Sequence, residues 1–83
     1  MDKILIEVFI PVAGKVFEIF VPSELMMHEA LELICKMVTQ MCDGVFVAGK
    51  DTVICHRDTS DILNINLSVS ELGLNNGSKL MLI

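Results

Sequence analysis

The chain has 83 residues, 53% of them apolar, and a formal net charge of -5 at pH 7. This length predicts a single domain spanning residues 1–83, and the apolar fraction is too high for an intrinsically disordered chain. Its six Lys and Arg residues are scattered and it has no Tyr or Trp, which argues against nucleic acid and anionic lipid as partners.

The first predicted element is a β-hairpin. Residues 4–10 alternate between two faces with the period of two that a strand requires, and the segment from Pro11 to Gly14 interrupts them. Gly14 suits the positive φ that a short hairpin loop often needs. Alternation then resumes from Lys15 to Val21, which predicts an antiparallel return strand.

A helix is predicted next, from about Glu24 to Met41. Its apolar stripe has spacings of four and three residues and consists of Met27, Leu31, Ile34, Val38 and Met41. Ser23 is the expected N-cap, and Glu24 complements the positive end of the helix dipole. The helix should end near Asp43 and Gly44, because Gly is the usual C-terminal cap.

Short elements are predicted in the second half of the chain. Residues 45–48 fit either an extended piece or a packed loop, whereas residues 52–56 are β-branched enough for a strand. After a polar turn, Ile62 and Leu63 fit a brief edge strand. Ser68 or Ser70 can then start a one-turn segment that points two leucines inward, Leu72 and Leu74.

The last predicted strand follows a turn of residues that tolerate left-handed backbone, Asn75, Asn76 and Gly77. Leu80 and Leu82 then alternate with Lys79, Met81 and Ile83. The predicted fold class is therefore α+β, with the order β-β-α-β-β-turn-β.

Three segments resemble proteins of the ubiquitin superfamily. They are the hairpin at Gly14-Lys15, the Val21-Pro22-Ser23 entry into the helix, and the L-G-L-x-N-G-x-x-L pattern of residues 72–80. The chain resembles the YukD/EsaB family, small bacterial ubiquitin-like proteins encoded with type VII (WXG100/ESX) secretion systems. This resemblance implies a β-grasp fold with central, parallel first and last strands.

The same resemblance implies a non-enzymatic adaptor or regulatory component of a type VII-like secretion system. Two alternatives remain open, a ubiquitin-like interaction domain of an unrelated bacterial complex and a small thiol or sulfur-transfer protein. Conjugation is not expected, because it requires a flexible diglycine end and the sequence ends at Leu82-Ile83.

The His and Cys residues predict no metal, cofactor or catalytic site. His28, Cys35 and Cys42 are spaced at seven residues, or about 10.5 Å along a helix, whereas zinc ligands lie about 2.0–2.3 Å from the metal. Cys55 and His56 are adjacent, and neighbouring strand residues point to opposite faces. No enzymatic activity is therefore expected.

The expected location is the cytoplasm. An odd number of cysteines without CxxC spacing fits free thiols in a reducing compartment. The N-terminal apolar stretch is broken by Glu7, Lys15 and Glu18, so it does not resemble a signal peptide. No apolar run approaches the length of a transmembrane helix, which argues against direct membrane insertion.

The main functional signal is a set of apolar residues on the second face of the hairpin. If Ile6, Val8 and their neighbours meet the helix, the other residues of both strands emerge on a face that a monomer normally keeps polar. Such exposed apolar area usually marks a contact surface. We therefore expect a face for docking a protein partner or for self-association, made of Leu5, Phe9, Val16, Phe20 and Met81. The alternative is that a tail, the loop of residues 45–50 or a tilted strand covers them.

Overall fold

The structure, a computed structural model, describes residues 2–43, 46, 49 and 51–83. Its elements in chain order are β1 (Lys3–Ile10), β2 (Lys15–Pro22), α1 (Met27–Met41), β3 (Ile54–His56) and β4 (Ser78–Leu82). The strands form one mixed sheet in the order β2-β1-β4-β3, with β1 and β4 parallel and the other pairs antiparallel. The predicted α+β class and the central, parallel first and last strands are confirmed.

The core lies between α1 and one face of the sheet. Alternate residues of β1 fill it, and Ile6, Val8 and Ile10 are fully buried. The other elements contribute buried residues with the same regularity: Ile19, Val21, Met27, Ala30, Ile34, Val38, Leu80 and Leu82. Because each large aliphatic side chain that is buried contributes about 1.5–3 kcal/mol, this face fixes the register of every strand.

The helix begins later than the sequence predicts. Its first residue is Met27, so Ser23 is not the N-cap and Glu24 lies outside the first turn. Among the described residues, no side chain caps the start of the helix. Backbone carbonyls do so instead: those of Leu67 and Ile65 accept hydrogen bonds from the N–H groups of Met27 (2.8 Å) and His28 (3.1 Å). Two of the N–H groups left free at the start of the helix are thus satisfied by a loop distant in sequence.

The end of α1 also differs from the prediction. Met41 is the last helical residue, and Cys42 is the C-cap with φ -95° and ψ 7°. The Cys42 N–H still donates to the carbonyl oxygen of Val38 at 2.9 Å, and Cys42 lies on the same side of the helix as that buried residue. Met41 is 43% exposed, whereas Cys42 is buried. Asp43 adopts a positive φ of 49°, and Gly44, the predicted cap, lies outside the described residues.

The middle of the chain forms less strand than expected. The strand predicted over residues 52–56 is β3, which begins at Ile54. The expected edge strand is a single bridge between Ile62 and Cys55. Of the apolar residues 45–48, only Phe46 lies within the described residues, and it is buried in the core.

The one-turn segment starts at Ser68. The Ser68 hydroxyl accepts a hydrogen bond from the Glu71 N–H (3.1 Å), and Glu71 Oε1 accepts one from the Ser68 N–H (2.9 Å). This reciprocal pair is a capping box. The capping box positions Leu72 and Leu74, the two leucines predicted to point inward. Leu72 is half-buried and Leu74 is buried.

The turn before β4 uses its residues differently from the prediction. Left-handed backbone occurs at Gly73 (φ 75°) and Gly77 (φ 88°) but not at the two asparagines. Asn76 instead uses its side chain, because its Oδ1 accepts a hydrogen bond from the Leu5 N–H at 2.8 Å. This hydrogen bond continues the β1–β4 pairing to Leu5, at a position before β4 begins.

The capping box should make stability depend on acidic pH. The Ser68 N–H, and secondarily the Ser68 hydroxyl, lower the pKa of Glu71 below its ordinary value. A carboxyl group with a lowered pKa stabilises the fold fully above its unfolded pKa of about 4.3, and the effect is lost as pH falls through the folded pKa. The free energy of unfolding of wild type should therefore fall more steeply below that pH than that of Glu71→Gln. Urea unfolding at a series of pH values tests this, and parallel curves would contradict it.

Candidate protein-binding face

The outer face is the surface of the sheet turned away from the core. The register of the central hairpin places Leu5 opposite Phe20 and Phe9 opposite Val16. On the other side of β1, Phe9 lies beside Met81 of β4. The structure therefore brings the five sequence-predicted residues together on one face, although they come from three strands.

The exposure of these residues differs across the outer face. Phe20 is 67% exposed and Val16 is 43% exposed. Leu5, Phe9 and Met81 are half-buried. The described part of the loop that was expected as an alternative cover does not lie here, since Phe46 belongs to the core. The outer face therefore presents large apolar side chains to solvent.

A row of four charged side chains crosses the outer face between its apolar residues. Glu7 of β1 is opposite Glu18 of β2 and lies beside Lys79 of β4. Arg57 follows β3, and its N–H donates to the carbonyl oxygen of Lys79 at 3.0 Å, so it continues the row. The order of this charged row is thus two acids followed by two bases: Glu18, Glu7, Lys79, Arg57.

Arg57 also contacts the apolar part of the outer face. Its guanidinium lies 4.4 Å from the centroid of the Phe9 ring. At that distance the positive charge is attracted to the face of the aromatic ring. The contact holds one cation of the charged row in place and covers part of Phe9. Sequence reasoning missed this role, because Arg57 is distant in the chain from the hairpin.

Solved structures with the same architecture were found at low sequence identity. The ubiquitin-like domain of the Mycobacterium tuberculosis type VII secretion system protein ECCD1 matches with a TM-score of 0.80 and 15% identity, over 100% of this chain and 99% of that one. The EccD5 ubiquitin-like domain from Mycobacterium xenopi matches with a TM-score of 0.82 and 17% identity, over 100% and 94%. This chain has the ubiquitin-like fold.

Ubiquitin from Caldiarchaeum subterraneum shares this ubiquitin-like fold, with a TM-score of 0.73 and 19% identity, over 99% of this chain and 92% of that one. The sequence matches no protein-family model and no curated protein. At such low identities the likeness establishes the architecture. The outer face must therefore be interpreted from the residues that this chain carries on its ubiquitin-like fold.

The cysteines and histidines are dispersed over this ubiquitin-like fold. His28 is exposed, Cys35 is half-buried and Cys42 is buried. Cys55 is also buried, and its Sγ lies 3.6 Å from the carbonyl oxygen of Met81. Within residues 2–43, 46, 49 and 51–83, no group of three His, Cys, Asp or Glu side chains is arranged to hold a metal ion. In the same ranges, no helix is long and apolar enough to cross a membrane.

Cys55 should react slowly with alkylating reagents. Burial raises the pKa of the Cys55 thiol, so less of it is the reactive thiolate at neutral pH than in a free cysteine. Mass spectrometry after iodoacetamide treatment at pH 7 should show slower modification at Cys55 than for a free thiol, and faster modification in urea. Native Cys55 that reacts faster than a free thiol would instead indicate a thiol-based activity.

Repulsion between Glu7 and Glu18 should lower the free energy of unfolding. Like charges directly opposite each other on antiparallel strands are destabilising, and opposite charges there contribute roughly 0.2–1 kcal/mol. Glu18→Lys should therefore raise the free energy of unfolding by up to about 1 kcal/mol, with Glu18→Gln intermediate. Urea unfolding measures this effect. Glu24→Lys is the matched control, since it makes the same charge change in an exposed turn, and an equal gain there would show that only net charge matters.

Proposed function

We propose that this chain is a non-enzymatic, cytoplasmic adaptor or regulatory component of a bacterial type VII-like secretion system. It acts by binding other proteins through the outer face. The observation that carries the proposal is the apolar group of Leu5, Phe9, Val16, Phe20 and Met81, which one face of the sheet presents around a charged row. Exposed apolar area with embedded charges provides both affinity and orientation for a protein partner.

The link to secretion draws on two likenesses. One matched ubiquitin-like domain belongs to a type VII secretion system protein, ECCD1. The resemblance of the sequence to the YukD/EsaB family supports the same pathway. Because ubiquitin itself shares the fold, the competing proposal is an interaction domain of an unrelated bacterial complex. A gene neighbourhood with a WXG100 substrate and a membrane ATPase would favour secretion.

The proposed mode of action is binding without conjugation through Ile83. The N–H of Ile83 donates to the carbonyl oxygen of Val53 at 3.0 Å. The N–H of Val53 donates in turn to the carbonyl oxygen of Ile83 at 2.8 Å. Leu82 is buried within β4. Residues held in this way differ from the flexible, side-chain-free segment on which conjugating enzymes act.

A sulfur-transfer role is not favoured by the position of Cys55. A reactive thiol needs a lowered pKa and access to its substrate. Cys55 is buried, and its pKa is raised by that burial. The proposed activity is therefore protein binding alone.

Loss of the outer aromatic residues should abolish capture of the partner. We expect the tagged wild-type chain to co-purify WXG100 substrates or the membrane ATPase from its native host. The double variant Phe9→Ser with Phe20→Ser should capture at least about tenfold less, because aromatic anchors dominate the energy of protein interfaces. Quantitative mass spectrometry measures the capture.

The control variant is Leu33→Ser with Met37→Ser, which removes two large apolar residues exposed on α1. It should capture the same proteins as wild type. Phe20→Ser alone is a further variant that spares the half-buried Phe9, so an unstable double variant does not decide the result. Equal capture by wild type and Phe20→Ser, or capture of an unrelated complex only, would reject the proposed function.

A further inference from the structure

We propose that a second copy of this chain covers the outer face, with the charged rows of the two copies paired in opposite directions. This inference rests on the proposed binding role of the outer face, and it names one occupant of that face. The chain would then form a reversible two-fold symmetric dimer. A secretion component would have to displace the second copy in order to bind.

The sign order of the charged row supports this inference. Glu18 and Glu7 are neighbours, and so are Lys79 and Arg57. Within one chain this order leaves Glu18 beside a like charge and Arg57 beside a like charge, and only Glu7 and Lys79 are neighbours of opposite sign. When a second copy of such a row is laid against it in the opposite direction, however, each acid meets a base. A surface of this kind satisfies the requirement of a two-fold interface, in which the same patch serves both copies.

The strand register shows which two-fold axis fits. An axis parallel to the strands, between β1 and β4, places Glu7 against Lys79 of the second copy and Glu18 against Arg57 of the second copy. The same axis brings Phe9 against Met81 of the second copy, whereas Leu5 lies against Gly77 of the second copy. An axis perpendicular to the strands through the charged row would place Glu18 against Glu18. Repulsion between like charges excludes that arrangement.

Arg57 is prepared for this contact in the single chain. Its guanidinium already lies 4.4 Å from the centre of the Phe9 ring. A guanidinium on an aromatic face keeps its N–H groups free to donate to a carboxylate. The ring thereby keeps this cation on the outer face, where the second copy is placed.

The size of the outer face predicts a weak dimer. Four strands about 4.8 Å apart, with about 20 Å of usable length, give a face of about 400 Å². A standard stable interface buries about 800 Å² of each partner. The second copy should therefore bind reversibly and at high protein concentration, so that a tighter-binding secretion component is able to replace it.

An exchange of charges tests the proposal. The basic-row variant carries Glu7→Lys and Glu18→Lys, and the acidic-row variant carries Arg57→Glu and Lys79→Glu. Sedimentation equilibrium up to ~1 mM should show a dimer for wild type, and association at least about tenfold weaker for either variant alone. An equimolar mixture of the two variants should restore the dimer, because each presents the charges that the other lacks.

Attraction between opposite net charges cannot explain a dimer restored by mixing the two variants. The wild-type chain carries -5, and each Glu→Lys change adds two charges, so even the basic-row variant stays negative like the acidic-row variant. The matched control is Glu24→Lys with Glu32→Lys, which makes the same charge change in the turn and on α1. It should associate as wild type does.

Two results would overturn the inference. One is a wild-type chain that stays monomeric at ~1 mM, and the other is a mixture of variants that associates no better than each alone. If Phe20→Ser still loses the secretion components in either case, the proposed function stands and only the second copy is rejected. If wild type dimerises as described but captures no secretion component, the inference stands and the proposed pathway is rejected.

Discussion

The pairing of β1 with both of its neighbours is the constraint on which the rest of the structure depends. β1 is antiparallel to β2 and parallel to β4, and these two ladders hold the sheet together. Ile6, Val8 and Ile10 are fully buried on one side of β1. A shift by one residue would turn all three outward and bring Glu7 into the core, at a large cost in desolvation. Burial of the core therefore fixes the register.

The same register determines the composition of the outer face. With Ile6 and Val8 inward, Leu5, Glu7 and Phe9 point outward, and each meets a fixed neighbour on β2. The core gains nothing from the exposed aromatic ring of Phe20, which is opposite Leu5. Residues that oppose the usual pattern without helping the fold commonly serve binding. The proposed docking role of the outer face thus follows from the strand pairing that builds the core.

The sequence predicts this part of the molecule well because its signal is local. Alternation over residues 4–10 and 15–21 is enough to separate two faces and to name four of the five outer apolar residues, and the alternation of the last strand adds Met81. Features that depend on distant residues were missed. The start of α1 is set by carbonyls of Ile65 and Leu67, and the charged row joins Glu7 to Lys79 across the parallel ladder. No local pattern records such pairs.

The most direct test of the central claim is site-specific photo-crosslinking in the native host. A photoreactive phenylalanine analogue would replace Phe20 on the outer face or, as a control, Met37 on α1; both side chains are exposed in the single chain. The account predicts crosslinks from position 20 to a component of the secretion apparatus or to a second copy, and none from position 37. Crosslinks from position 37 in the absence of any from position 20 would contradict it.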